Sequence, residues 1–206
     1  MGKLFCVMGK SASGKDTIFK RLAADASLGL RTVVPYTTRP IREGEHEGVE
    51  YHFTDEAGYQ AWKAAGKIIE ARAYHTVHGL WRYFTADDGQ ICPDQGNFIV
   101  IGTLEAYRQM LNFFGPEVMV PVYVEVEDGL RLSRALLRER TQPVPKYAEM
   151  CRRFLADCED FSEEKIKDCY ITKRYDNIEL EQCLGQIRAD ILDRIKTDTI
   201  HEYGRS

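Results

Sequence analysis

No apolar run in this chain approaches the roughly 20 residues that a membrane-spanning helix needs, so a helical membrane protein is not expected. Positive charge is not in excess either. Asp and Glu outnumber Lys and Arg 32 to 28, and the net charge of -4 argues against broad, non-specific binding to nucleic acid, which needs a basic footprint. An anionic ligand must therefore be gripped by local clusters of Arg and Lys. The six cysteines, Cys6, Cys92, Cys151, Cys158, Cys169 and Cys183, show neither C-x-x-C nor mixed His/Cys metal-ligand spacing. With four of them at apolar positions of expected elements, they read as reduced core thiols in a cytoplasmic protein. The first apolar run reads as a strand and not as a signal peptide, and there is no repeat, low-complexity tract or linker. What remains is an ordinary globular composition, 44% hydrophobic and 29% charged over 206 residues, enough for one domain with inserted parts.

The stretch Gly9-Lys10-Ser11-Ala12-Ser13-Gly14-Lys15-Asp16-Thr17 organises the rest. It follows Leu4-Phe5-Cys6-Val7-Met8, a short buried strand by pattern, and precedes Ile18 to Ala24, with apolar residues at helical spacing. Strand, glycine loop and helix form the setting of a phosphate loop. Gly9 and Gly14 let the backbone approach a polyphosphate, loop amides and the helix start face it, and Lys15 adds a full charge. The pattern G-x-x-x-x-G-K is complete. Asp16 stands where a serine or threonine usually offers its hydroxyl to magnesium, and Thr17 follows it. A carboxylate can also hold this hard ion, directly or through water.

Farther along, Leu30 to Tyr36 reads as a second strand, followed by a polar, glycine-punctuated segment carrying Arg39 and Arg42 that suits an anionic ligand. Thr54 is the expected cap of a helix over Asp55 to Ala65, and Lys67–Tyr74 and Thr76–Thr85 are expected strands. Asn97–Ile101 is a strand covered on both faces, Thr103 caps the next helix, and Val118–Val124 is a strand in which Pro121 suggests an irregularity or an edge. Strands alternating with helices indicate a parallel sheet flanked by helices. Asp128 to Glu139 is helical, with Arg131, Arg134 and Arg138 on one face. The next helix carries a stripe from Tyr147 through Met150, Cys151, Phe154, Leu155 and Cys158 to Phe161 that reads as core, with Arg152 and Arg153 beside it. These two helices look like a mobile lid. Cys169–Thr172 reads as a last strand, Asp176 and Glu179 as the capping box of a closing helix, and the segment from Thr197 as a polar, frayed tail.

The residues also resemble guanylate kinase, over about residues 3–196. The family's Ser-x-Thr-Thr-Arg-x-x-Arg, Gly-Glu turn and Asp-Tyr-x-Phe are matched by Pro35 to Arg42, Gly44-Glu45 and Glu50-Tyr51-His52-Phe53. Its Ile-Glu pair and Gly-x-x-Tyr-Gly-Thr are matched by Ile69-Glu70 and, with one extra residue, Gly79 to Thr85. The resemblance implies an α/β P-loop NTPase fold: a parallel sheet flanked by helices, an inserted α+β nucleotide-monophosphate-binding region and a helical lid. In one domain of 1–206, the core would be 1–36, 89–130 and 161–196, the insertion 37–88 and the lid about 131–160. By position, Arg39, Arg42, Tyr51 and Tyr83 would hold the acceptor phosphate, and Glu70 and Thr85 would meet the base. Four departures stand out: Pro35 for a serine, Asp16 for the loop hydroxyl, Phe84 for a glycine beside the base site, and Ile101-Gly102-Thr103-Leu104 for an acidic strand end.

The implied activity is transfer of the γ-phosphoryl of ATP, with Mg2+, to GMP or dGMP. Gly9 through Thr17 would bind ATP, Asp16 and Thr17 the metal, and Lys15, Arg134, Arg138 and Arg153 would be catalytic, with Arg131, Arg140 and Arg152 as alternatives. A P-loop kinase for another small phosphate or deoxynucleotide, and a non-catalytic guanylate-kinase-like domain that binds proteins, are the competing expectations. Expected partners are the two nucleotides, with no nucleic acid and no membrane, on a monomer or homodimer.

Overall fold

The computed structural model describes residues 1–76 and 79–203, with side chains placed as far as Lys196. Its centre is β1 (Leu4–Met8), whose five residues are all buried. Around it lie β2 (Leu30–Thr32), β7 (Asn97–Ile101), β8 (Met119–Glu125) and β9 (Arg174–Asp176), in the all-parallel order β2-β7-β1-β8-β9. Alternation along β1 sends Leu4, Cys6 and Met8 into one core and Phe5 and Val7 into the other. The first core is closed by α3 (Leu104–Phe114) and α6 (Glu163–Asp168), the second by α1 (Lys15–Ala23) and α7 (Leu180–Tyr203). Each large apolar side chain so covered contributes about 1.5 to 3 kcal/mol. That both faces need covering is why β1 and β7 are continuous apolar runs.

A second sheet, in the order β4-β3-β6-β5, is made by β3 (Tyr36–Thr37), β4 (His52–Phe53), β5 (Ile68–Thr76) and β6 (Gly79–Ala86). With α2 (Glu56–Ala64) it encloses its own small core of Tyr59, Phe84 and Ala86, with Tyr36, Trp62, Ile68 and Ala71 against it. Two chain segments cross between the sheets and are laced together. Gln90 donates to the Val34 carbonyl (3.2 Å) and accepts from its N–H (2.9 Å), while Tyr36 donates to Asp88 (2.8 Å).

Several expectations are corrected. The single strand Leu30–Tyr36 is two strands in two sheets, divided at Pro35, which cannot donate to a ladder. Asp55 and not Thr54 caps α2, accepting from Gly58 N (2.8 Å), while Thr54 N donates to Thr37 O (2.9 Å) and still continues the strand pairing. The expected strand from Thr76 begins at Gly79, and residues 77 and 78 lie outside those described. Pro121 is not in an edge strand, but β9 pairs with β8 only from Tyr123 onward, so β9 asks no hydrogen bond of the proline. Cys169–Thr172 is not a strand, since it follows α6 with Tyr170 at φ +56°. The last strand is Arg174–Asp176, so Asp176 belongs to β9 and stands apart from the start of α7 at Leu180. Glu179 directly precedes α7, its carbonyl accepting from Cys183 N (3.0 Å). The expected frayed tail is helical to Tyr203, and residues 204–206 are outside those described.

The stripe on α5 (Tyr147–Asp160) is core only at its end: Phe161, directly after the helix, is buried and stacks on Tyr123 at 5.8 Å, whereas no residue of α5 itself is buried, the helix lying along α4 (Asp128–Arg140). Of the six cysteines, Cys6, Cys169 and Cys183 are buried and Cys151 is exposed. Burial, and then the neighbouring Glu70, push the Cys6 thiol up to about 12, and burial pushes Cys183 to about 11. Alkylation at pH 8 followed by peptide mass spectrometry is therefore expected to label Cys151 first and to leave Cys6 and Cys183 unmodified until the protein is denatured. Early labelling of Cys6 would contradict this packing.

Candidate active site

The loop after β1 is shaped by two glycines that nothing else can replace. A Cβ on Gly9 would lie 2.3 Å from the Val124 carbonyl oxygen, and one on Gly14, which is at φ +85°, would lie 2.3 Å from Asn177 Nδ2. Ala12 takes the left-handed region at φ +62°, and Ser13 N donates to Lys10 O (3.2 Å) to close the turn. Lys15 opens α1, whose first intrahelical bond runs from Ile18 N to Gly14 O (3.1 Å), so the free first-turn amides face the loop. Asn177, buried directly after β9, donates to Ser13 O (2.8 Å) and braces the loop from below. Asn177 is not among the residues expected from the sequence. Its signal is a polar residue at the carboxyl end of a parallel strand, where such sheets place their sites, and that signal depends on a last strand at Arg174–Asp176 and not at Cys169–Thr172.

Lys15 Nζ lies 3.6 Å from the carboxylate of Asp16, which is largely exposed in the first turn of α1, as is Thr17. Lys10 turns instead to Asp128 (3.3 Å). The expected row of three arginines on α4 is divided. Arg131, only 1% exposed, donates to Asp128 (2.9 and 3.1 Å), Asp157 (3.2 Å) and Ser11 O (3.3 Å), and lies 4.1 Å over the Phe154 ring. Asp157 in turn accepts from Ser11 N (2.8 Å), so this network ties α4 and α5 to the outer side of the loop. Arg134 reaches the Ile178 carbonyl (3.1 Å). Arg138 and Arg153 line the cleft between α4 and α5 that opens beside Ser11. Arg152 and Arg153 share Glu149 at 2.8 Å each, which draws that carboxyl down to about 2, chiefly through Arg152. Arg140 is exposed at the end of α4.

The inserted sheet supplies the other half. Pairing sets Glu70 opposite Thr85 and Arg72 opposite Tyr83, so these four share one face, while Phe84 and Ala71 take the opposite one. Phe84, which stands where the family has a glycine, accordingly turns away from the face of Glu70 and Thr85. It stacks on Tyr36 (5.1 Å) and meets Tyr59 (5.1 Å) in the sheet's own core. Pro35 is buried before β3, its carbonyl accepting from His52 N (2.9 Å).

Beside the face that carries Tyr83, Arg39 is 3% exposed, with its guanidinium 5.1 Å from the Tyr51 ring and 5.6 Å from Phe53. Both terminal nitrogens fork onto Glu45 (2.5 and 2.7 Å). That pairing raises the Arg39 pKa and lowers that of Glu45. The Nε–H of Arg39 is buried with no partner among the described residues. Tyr51 and Tyr83 meet edge to face at 5.6 Å, and Arg42 is exposed, its N–H donating to Glu45 (2.9 Å). Glu70 is buried and accepts from the Thr85 hydroxyl (3.0 Å) and from Arg72 Nε and Nη2 (3.0 and 3.2 Å). At the end of β7, where the family's acidic residues are missing, Thr103 caps α3 and its hydroxyl lies 3.5 Å from Arg72 Nη1. Ile69 packs into the core of Leu4, Cys6 and Met8, so this face adjoins the strand that carries the loop.

A family model described as guanylate kinase matches residues 1–79. The chain is 29% identical over 192 residues to a guanylate kinase of Symbiobacterium thermophilum, covering 93% of this chain and 85% of the relative. It is 27% identical over 195 residues to that of Cupriavidus pinatubonensis, covering 91% and 83%. A shorter match, 39% over 88 residues, joins it to the guanylate kinase of Neisseria gonorrhoeae, covering 43% and 40%. Among solved structures, guanylate kinase from Anaplasma phagocytophilum shares the fold with a TM-score of 0.60 at 19% identity, covering 93% of this chain and 85% of that one.

Proposed function

We propose, from its similarity to guanylate kinases along more than nine-tenths of its length, that this chain transfers the γ-phosphoryl of ATP to GMP or dGMP. The observation that carries the acceptor side is Arg39. A buried guanidinium held by aromatic rings and a carboxylate, with one donor left open, is a receptor for an anion. Tyr51, Tyr83 and the exposed Arg42 complete the phosphate seat, and Glu70 meets the base.

The triphosphate sits in the loop against the first-turn amides of α1, with Lys15 on its outer phosphates. Asp16, an exposed hard-oxygen donor beside Lys15, fits a magnesium ion carried with ATP, and Thr17 offers the next hydroxyl. The ion's contribution is to neutralise phosphate oxygens. No covalent intermediate is needed: catalysis is alignment of two phosphates, exclusion of water and neutralisation of charge by Lys15, Arg134, Arg138 and Arg153. Among the described residues no helix is long and apolar enough to cross a membrane.

The test is ADP release measured across GMP, dGMP, AMP, CMP and UMP for wild type and Glu70→Gln. GMP or dGMP is expected to be the best acceptor. Replacing the carboxylate removes an acceptor of the N1–H and 2-amino donors, worth roughly 1 to 3 kcal/mol, or about five- to a hundred-fold in kcat/KM. A different best acceptor, or an untouched advantage for GMP in Glu70→Gln, would overturn the assignment.

A further inference from the structure

Arg72 is the one charged residue of the acceptor face to which neither the phosphate seat nor the resemblance gives a task. It stands two residues after Glu70 on β5 and so on the same side, opposite Tyr83. Its side chain is 11% exposed, its charge is felt at Tyr51 and Tyr74, and Nη1 reaches Thr103 Oγ1 at 3.5 Å. Nε and Nη2 fork onto the two oxygens of Glu70, and the Thr85 hydroxyl takes a further position on Oε1.

A guanidinium and the Watson–Crick edge of guanine present the same pattern: two parallel N–H donors a fork's width apart, matched to the two oxygens of one carboxylate. A carboxylate accepts one such fork on its open edge. On the reading that Glu70 meets the guanine of the acceptor, that edge is already filled by the chain itself. We propose that Arg72 is a gating residue that occupies the base-binding edge of Glu70 as an internal counterpart of guanine, and that GMP binds only to the fraction of molecules in which Arg72 has swung aside. The apparent affinity for GMP is then reduced by that fraction. If Arg72 is docked about nine-tenths of the time, the penalty is about tenfold. ATP, bound at the loop, does not share it.

The experiment measures GMP affinity by isothermal titration calorimetry, and KM for GMP and for ATP by ADP release, in wild type, Arg72→Gln, Arg72→Met and Arg72→Lys, with folding checked by circular dichroism. The glutamine and methionine variants cannot fork onto Glu70 with a charged pair and are expected to bind GMP about tenfold more tightly, with KM for ATP unmoved. The lysine variant keeps the charge but donates as a point, and is expected to fall between them and wild type. It is the decisive variant if the other two do not fold. Measurable GMP binding that is unchanged or weakened in the folded variants overturns the gate and leaves the proposed reaction standing. Absence of GMP binding in wild type and every variant overturns both.

Discussion

Lys15→Ala is expected to lower kcat by roughly a hundred- to a few thousand-fold, the 3 to 5 kcal/mol that a fixed charge on a transferring phosphoryl group supplies. The fold should not notice. Lys15 is the first residue of α1, its ammonium contacts only the exposed Asp16 among the ion pairs of the described residues, and no core residue leans on it. The glycines and Asn177 that shape the loop are untouched by the change, so its amides keep their arrangement. Thermal melting and circular dichroism should match wild type while single-turnover transfer collapses. Wild-type turnover in a folded Lys15→Ala protein would sink the phosphate-loop assignment.

The second large effect is on stability. Phe84→Ala is expected to cost about 3 to 5 kcal/mol, the range for emptying a buried phenylalanine site, and to leave the ratio of GMP to AMP turnover unchanged in the molecules that stay folded. Phe84 is fully buried between Tyr36 and Tyr59 and is the most deeply buried member of the inserted sheet's core, so its removal leaves a hole at the centre of that cluster. Urea unfolding reads the first expectation, and the acceptor panel run well below the melting temperature reads the second. A shift in acceptor preference at unchanged stability would place Phe84 on the acceptor face after all.

What the sequence disclosed was what local chemistry decides. The glycine spacing and Lys15, the unbroken apolar runs of β1 and β7, and the Thr103 cap with its bond to Ala106 N are all written in consecutive residues. What it concealed depends on a partner far along the chain. The stripe on α5 has the period of a buried helix, but periodicity reports a face and not what covers it, and here one flank of α5 remains open. Arg131 and Arg134 are three residues apart, yet only Arg131 meets Asp157, a residue 26 positions on. The polar triplet Arg174-Tyr175-Asp176 carries no strand signature, because it is held by the edge of β8 and not by its own propensity. Phe84 is placed by parity: Tyr83 and Thr85 share a face with Glu70, and the residue between them in a strand must turn to the other. Arg72 was legible too, as the next residue on the side of Glu70, had the strand been read as a surface.

The two laced crossings between the sheets carry a mechanical consequence. Val34 is clamped by both hydrogen bonds of the Gln90 amide, Tyr36 is pinned to Asp88, and on β5 the backbone of Ala71 both donates to and accepts from the Gln109 amide of α3, so the inserted sheet is tied to the main body along two separate lines. Two ties set apart in this way resist twisting as well as sliding, so a rotation of the inserted sheet must break the Ala71–Gln109 pair or shear Ile69 out of the core beside Leu4 and Met8. The placement of Glu70 relative to the loop after β1 is thereby set by packing against α3 as much as by the crossings.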